Sequence, residues 1–185
     1  KLYAPVPHGT PRDISLFNAT NLRVLTLSGA YAADTSLRIP SRFVLELAAG
    51  ASIVAAKNLS QANVSRFEGL VTLDDVWYSA VIGSGDGATI DASALGAIPW
   101  PPNATKAPNN YMAVAIVRGG RNAVRNLRLI ANNTGSSVAV NESPNAEIAH
   151  CDIGGRSAEA MEVGRCVWTL ATETALVHDN HIHHC

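Results

Sequence analysis

Short apolar runs alternate with polar turns along most of this chain, and the runs come in pairs of nearly constant spacing. Leu45 and Ile53, Ile82 and Ile90, Ile116 and Val124, and Val140 and Ile148 each stand eight residues apart. Val163 and Val177 stand fourteen apart, a separation that six inserted residues account for. Counted on the first members, the pairs recur after 37, 34, 24 and 23 residues. The first run of a pair has period two (Met112, Val114, Ile116; Val138, Val140; Met161, Val163), the mark of a strand with one face turned inward. In the second run the spacing is three, then two: Val124, Leu127, Leu129; Ile148, Cys151, Ile153; Val177, Asn180, Ile182. That pattern predicts a strand that bends once and continues. Polar turns such as Gly119-Gly120-Arg121-Asn122 separate the two runs.

Parallel strands cannot be joined by hairpins, and their crossovers are usually helices. No amphipathic helical pattern of useful length lies between these runs, so the chain is expected to wind, each turn pairing with the one below. The predicted architecture is an all-β, right-handed parallel β-helix, with the hand taken from the general crossover preference. It should have about five coils plus N-terminal strands: residues 1–40 lead in with the first strands and residues 41–185 form the coils of a single domain. Equivalent residues would then stack at ~4.8 Å, placing Leu127, Cys151 and Asn180 in one inward column at the bend. An antiparallel sandwich also has many short strands, but it leaves the recurring eight-residue spacing without a cause. After Ile182 no capping element is evident, so an open end is expected, with further coils beyond Cys185.

Composition narrows the setting. A chain of 185 residues with 47% apolar and 16% charged residues can bury a proper core. Its net charge of −1 does not call for nucleic acid, and no run reaches the roughly 18 apolar residues of a membrane span. Asn18, Asn58, Asn63, Asn103, Asn132 and Asn141 each begin an Asn-X-Ser/Thr sequon, where composition alone gives about two. Their excess points to N-glycosylation and a secreted or cell-wall protein. The cysteines, Cys151, Cys166 and Cys185, define no pairing by number. Oligomeric state is left open.

The segment Ser137-Val-Ala-Val-Asn-Glu-Ser-Pro-Asn-Ala-Glu-Ile-Ala-His-Cys-Asp-Ile153 resembles one coil of the pectin-lyase-like family of right-handed β-helices, which includes pectate lyases and polygalacturonases. Gly29-Ala-Tyr31, Leu37-Arg-Ile-Pro-Ser41 and Val44-Leu-Glu-Leu47 look like first coils of that family, and Ser84-Gly-Asp-Gly-Ala-Thr-Ile-Asp91 like the coil that opens a polygalacturonase-type helix. The resemblance covers residues 24 to 184. It implies a polysaccharide partner lying along the sheet made by the first strand of each coil, where Ala113, Ala115, Ala139, Asn141 and Glu162 would form a shallow outward floor. There Glu159 and Glu162, with Arg165 beside them, would supply an acid and a base to a glycosidic bond, and Asn141 and Glu142 would bind substrate. Trp100 and Trp168, on long turns, would stack on sugar rings. This chain departs from the polygalacturonase pattern: Gly135 follows Asn133-Thr134, and Ala158-Glu159 stands where an Asp pair is needed. No cofactor is expected, because calcium would find only Asn141, Glu142 and Glu162 as oxygen donors.

A second constellation follows from registering the coils. Arg128, Asp152 and His181 fall in one outward ladder, Arg125 and His178 in another, and His150 and Asp179 at the bend. Arg, Asp and His together suit proton abstraction beside a uronic-acid carboxylate, the chemistry of a lyase or epimerase. His181 and His183 flank Ile182 and project from one strand face, yet two donors fall short of a metal ligand set, and no metal is expected. The functional expectation is therefore a lyase, epimerase or hydrolase of uronic-acid-containing glycans. The rival is a non-catalytic glycan-binding, adhesion or surface structural domain.

Overall fold

A computed structural model of the chain describes residues 21–56, 67–94, 110–131, 136–155 and 165–184. All regular structure in these residues is β-strand. The strands run in chain order as β1 (Arg23–Leu27), β2 (Ala30–Ala33), β3 (Leu37–Arg38), β4 (Phe43–Leu47), β5 (Ser52–Ala55), β6 (Phe67–Trp77), β7 (Ala80–Gly83), β8 (Thr89–Asp91) and β9 (Asn110–Gly120). They continue as β10 (Ala123–Arg125), β11 (Arg128–Ala131), β12 (Ser136–Asn141), β13 (Glu147–Ala149), β14 (Asp152–Gly155), β15 (Arg165–Leu170), β16 (Leu176–His178) and β17 (His181–His183).

Strands numbered three apart are neighbours. Sheet A has the order β1-β4-β7-β10-β13-β16, sheet B β2-β5-β8-β11-β14-β17, and sheet C β3-β6-β9-β12-β15. Every pairing is parallel. The architecture is thus a three-sheet parallel β-solenoid, and no antiparallel pair among the described residues supports a sandwich.

The stacks make the core. Leu25, Leu45, Val81, Val124, Ile148 and Val177 form one column in sheet A. Tyr31, Ile53, Ile90, Leu129, Ile153 and Ile182 form another in sheet B. In sheet C, Val140 lies on Ile116 as expected, with Leu73 on the other side of Ile116 and Thr169 next to Val140. Leu127 and Cys151 are buried at the bend, and Asn180 continues their column by bonding the turn beneath it.

Three expectations need correction. The eight-residue pairs do not all span the same corner: Leu45–Ile53 runs from sheet A to sheet B, whereas Ile116–Val124 and Val140–Ile148 run from sheet C to sheet A. Ile82 is out of the column, one residue past Val81, and packs outside sheet A with Val44, Ala80 and Ala123. Two corners of similar span give the same spacing, and a linear pattern carries no label for which corner it is. Secondly, the residue that stacks on Val140, the place expected of Val163, is Thr169. Residues 156–164 lie outside the described residues, and the strand that stacks on β12 is β15, where Thr169 sits eight residues before Val177 and keeps the spacing. Thirdly, Met112 does not alternate inward with Val114. The ladder of β6 and β9 breaks between Gly69–Met112 and Val71–Val114, so Ala113 joins the main core while Met112 packs outside with Ala115, Val117 and Ala139.

Corners recur in register. The bend between sheets A and B places Asn126, His150 and Asp179 at φ of 56°, 55° and 53°. Left-handed residues also mark the corner after sheet C, at Arg118 (55°), Glu142 (49°) and Ala171 (47°). Such conformations are costly for residues with a side chain. Repeated wind after wind, they turn the chain sharply enough to close each coil. At Gly119 (φ 73°) a Cβ would lie 1.9 Å from the Val76 carbonyl oxygen, so only glycine allows that approach.

Candidate functional site

The outward face of sheet C is not an open floor. Ala113 turns into the main core, and Ala115 and Ala139, which do lie outside, are buried. Trp168 packs on the cluster of Met112, Ala115, Val117 and Ala139, directly above Ala139, so this tryptophan covers apolar surface. Asn141 is only 5% exposed, so its side chain stands open neither to a substrate nor to a glycan. Glu142 is exposed at the tip of the corner. Arg165 begins β15 with its backbone beside Ser136. Glu159, Glu162, Trp100 and the sequon asparagines Asn18, Asn58, Asn63, Asn103 and Asn132 lie outside the described residues.

Polar chemistry gathers instead on the outer faces of sheets A and B in the later winds. Small and apolar residues (Val44, Ala80, Ile82, Ala123) cover the early part of sheet A. Arg125, Glu147 and His178 replace them further on. In sheet B the register Arg128–Asp152–His181 is as the sequence predicts, because each corner adds the same number of residues and period-two alternation keeps all three side chains outward. Two positions along, Ile130, Gly154 and His183 form the parallel column.

Asp152 is the centre of this group. One carboxylate oxygen, Oδ1, meets His181 Nδ1 at 2.9 Å and His183 Nε2 at 3.0 Å. The other, Oδ2, faces Arg128 Nε at 3.5 Å. The two imidazole rings lie 4.9 Å apart and are tilted by 30°. His181 is 79% exposed, whereas His183 is 25% exposed and rests on the backbone of Gly154. Desolvation raises the Asp152 pKa, but the hydrogen bond from His181 and the charge and hydrogen bond of His183 outweigh it and hold the carboxylate below its ordinary range.

Around the bend lies a second knot. Glu147 is buried and pairs with Arg125 through a close Oε2 contact and with His178 Nε2 through Oε1 at 3.0 Å. His178 Nδ1 bonds Asp179 Oδ2 at 2.8 Å, and His150 meets the His178 ring edge-on at 5.8 Å. The Asp179 hydrogen bond raises the His178 pKa most; desolvation opposes it, and Glu147 adds to it. With both ring nitrogens bonded to carboxylates, His178 is held toward its charged form and has neither nitrogen turned to solvent as a base. Cys151 offers no nucleophile, since burial pushes its thiol pKa up to about 12.

Sequence reasoning brought Arg128, Asp152 and His181 together correctly and missed Glu147 and the part played by His183. Glu147 stands immediately before the anchor Ile148, so alternation alone marks it as outward; its burial comes from Arg125 and His178 closing over it. His183 was legible as the neighbour of His181, but its convergence on Asp152 needs the side-chain geometry of the wind beneath.

These features define a parallel β-solenoid with an imidazole–carboxylate–guanidinium site on its wet face. No protein-family model and no curated protein matches the chain. Among solved structures it is similar to a protein from Parabacteroides merdae provisionally named a glycosyl hydrolase, at 15% identity over 82% of each chain, with a TM-score of 0.35. A likeness of that size says nothing of what this chain does.

Proposed function

We propose that this chain is a secreted, right-handed β-helix of about five coils, of the pectin-lyase-like kind, that binds uronic-acid-containing polysaccharide and removes the proton next to the sugar carboxylate. The observation that carries this reading is the exposed ladder Arg128–Asp152–His181. Arg128, with its side chain 57% exposed, would pair with the uronate carboxylate and so acidify the carbon beside it. Asp152 holds His181 by Nδ1, which leaves Nε2 to take the proton. The carbanion then breaks the bond to the glycosidic oxygen on the neighbouring carbon, which leaves with a proton from the His181 imidazolium or from water and leaves a double bond, or it takes a proton from water on the opposite face. The first course is a lyase and the second an epimerase.

Secretion is supported by the sequon excess and by the disulfide that holds Cys166, a bond that persists mainly in oxidising compartments. Glu159 and Glu162, the acid pair that a hydrolase would use, lie outside the described residues. Incubation with polygalacturonate and with alginate tests the proposal: unsaturated product absorbs at ~235 nm, and epimerisation changes the sugar NMR spectrum. His181→Ala should lower the rate by about 100-fold or more with the fold intact. Glycan binding without turnover, unaffected by His181→Ala, would replace the enzyme by a binding domain.

A further inference from the structure

We propose that Asp152, His181 and His183 form a binding site for one divalent transition-metal ion of the zinc class. The argument is one of convergence. Two imidazole nitrogens from β17 aim at one carboxylate oxygen from β14, at 2.9 and 3.0 Å, and the three prospective donor atoms lie within 4.8 Å of one another. This is the arrangement a two-histidine, one-carboxylate site adopts when hydrogen atoms bridge the donors in place of the ion. On binding, the bridging hydrogens move to the other ring nitrogens or to solvent, and neutral imidazole nitrogens face the metal.

Three further features fit an ion. His183 is set in place: a Cβ at Gly154 would come within 2.5 to 2.9 Å of three His183 ring atoms, so the ring lies where only glycine leaves room. Its other nitrogen, Nδ1, is 2.9 Å from His184 Nδ1, the kind of outer hydrogen bond that orients a ligating imidazole. Arg128 faces Oδ2, which leaves Oδ1 as a single donor directed at the two rings. Imidazole with one carboxylate favours zinc, nickel or copper over calcium and magnesium, which prefer all-oxygen sets. Three protein donors leave a coordination position for water or another oxygen ligand, as in catalytic rather than closed structural sites.

Among the described residues, His150, His178 and Asp179 are a second group near enough to share an ion. There both ring nitrogens of His178 are engaged by carboxylates, Nδ1 by Asp179 and Nε2 by Glu147, which holds the ring in an ion pair rather than offering it to a metal.

Metal binding goes beyond the polysaccharide reading and is measured without sugar. The full chain, stripped with chelator, is titrated calorimetrically with zinc chloride and with calcium chloride, and cobalt(II) is added separately to read its visible d–d bands. The expected result is one saturable zinc per chain, no calcium heat, and cobalt bands typical of mixed nitrogen and oxygen ligands. His183→Ala and Asp152→Asn should each weaken zinc at least about tenfold, since losing even an outer-shell partner costs that much. Exposed His181→Ala should do the same with an unchanged circular dichroism spectrum, whereas His178→Gln should retain binding. Absence of saturable zinc binding overturns the proposal, as does binding that survives His181→Ala and His183→Ala or is lost in His178→Gln. Because a metal on Nδ1 of His181 places the proton on Nε2, zinc should also suppress any uronate chemistry carried by that ring. Zinc binding in a chain inactive on uronates would leave the metal site standing and remove only the polysaccharide reading.

Discussion

His178 shows how a single side chain reports its surroundings through pH. Asp179 and Glu147 favour its charged form, Arg125 pairs with the same Glu147, and His150 packs on the ring edge. Its pKa is therefore raised in the folded protein above the ordinary value near 6.5. The stabilisation is fully present below about pH 6.5 and is lost as pH rises through the raised folded value. Urea unfolding of the wild type and of His178→Gln across that range should show a difference that is largest in acid and shrinks with rising pH. The ring is one-third exposed, so the effect should be at most about 1 kcal/mol. A difference that grows with pH would mean that Glu147 and Asp179 do not act on this histidine.

At the scale of the element, each corner is secured by hydrogen bonds from one wind to the next. Asn122, fully buried after β9, donates from Nδ2 to the Val76 carbonyl at 2.9 Å and accepts from the Ser79 amide at 3.0 Å. Asn180 repeats this between β16 and β17, bonding the Ile148 carbonyl and the Cys151 amide. Replacing Asn122 by Ala strands two buried backbone groups and should cost roughly 2–4 kcal/mol in chemical denaturation. Asn122→Asp keeps the acceptor for Ser79 but sets a buried carboxylate oxygen against the Val76 carbonyl, so it should cost at least as much as alanine; an alanine effect under about 0.5 kcal/mol would show that the stitch is dispensable. In the sequence Asn122 was visible only as a turn residue and Asn180 only as a member of the inward column at the bend. Their reach to the wind below depends on left-handed corners such as Arg121 (φ 56°), which no local pattern announces.

For the whole molecule, stacking means that each wind is stabilised chiefly by its neighbours. The middle columns are sealed: Val81, Val124, Ile148, Ile90, Leu129 and Ile153 have no exposed surface. The flanking winds are not, with Leu25 47%, Tyr31 43%, Leu176 60% and Ile182 46% exposed. Amide hydrogen exchange should therefore be slowest in β7, β8, β10, β11, β13 and β14 and fastest in β1, β2, β16 and β17. Uniform protection from end to end would contradict a nearest-neighbour solenoid. Zinc, if it bridges β14 and β17 as proposed, should slow exchange in β17 selectively.

The order of apolar and polar positions by itself determined that this chain winds into parallel strands, that Val140 lies on Ile116, and that Arg128, Asp152 and His181 share an outward ladder. Those results follow from period-two alternation and constant spacing, both local properties of a chain. Tertiary structure decided which sheet each run joins, that β15 stacks on β12 with Thr169 on Val140, and that Ala115 and Ala139 outside sheet C are buried. It also decided that His183 and His181 converge on one oxygen of Asp152. Each of these depends on contacts between winds, where side-chain direction and corner geometry, and not sequence separation, set which atoms meet.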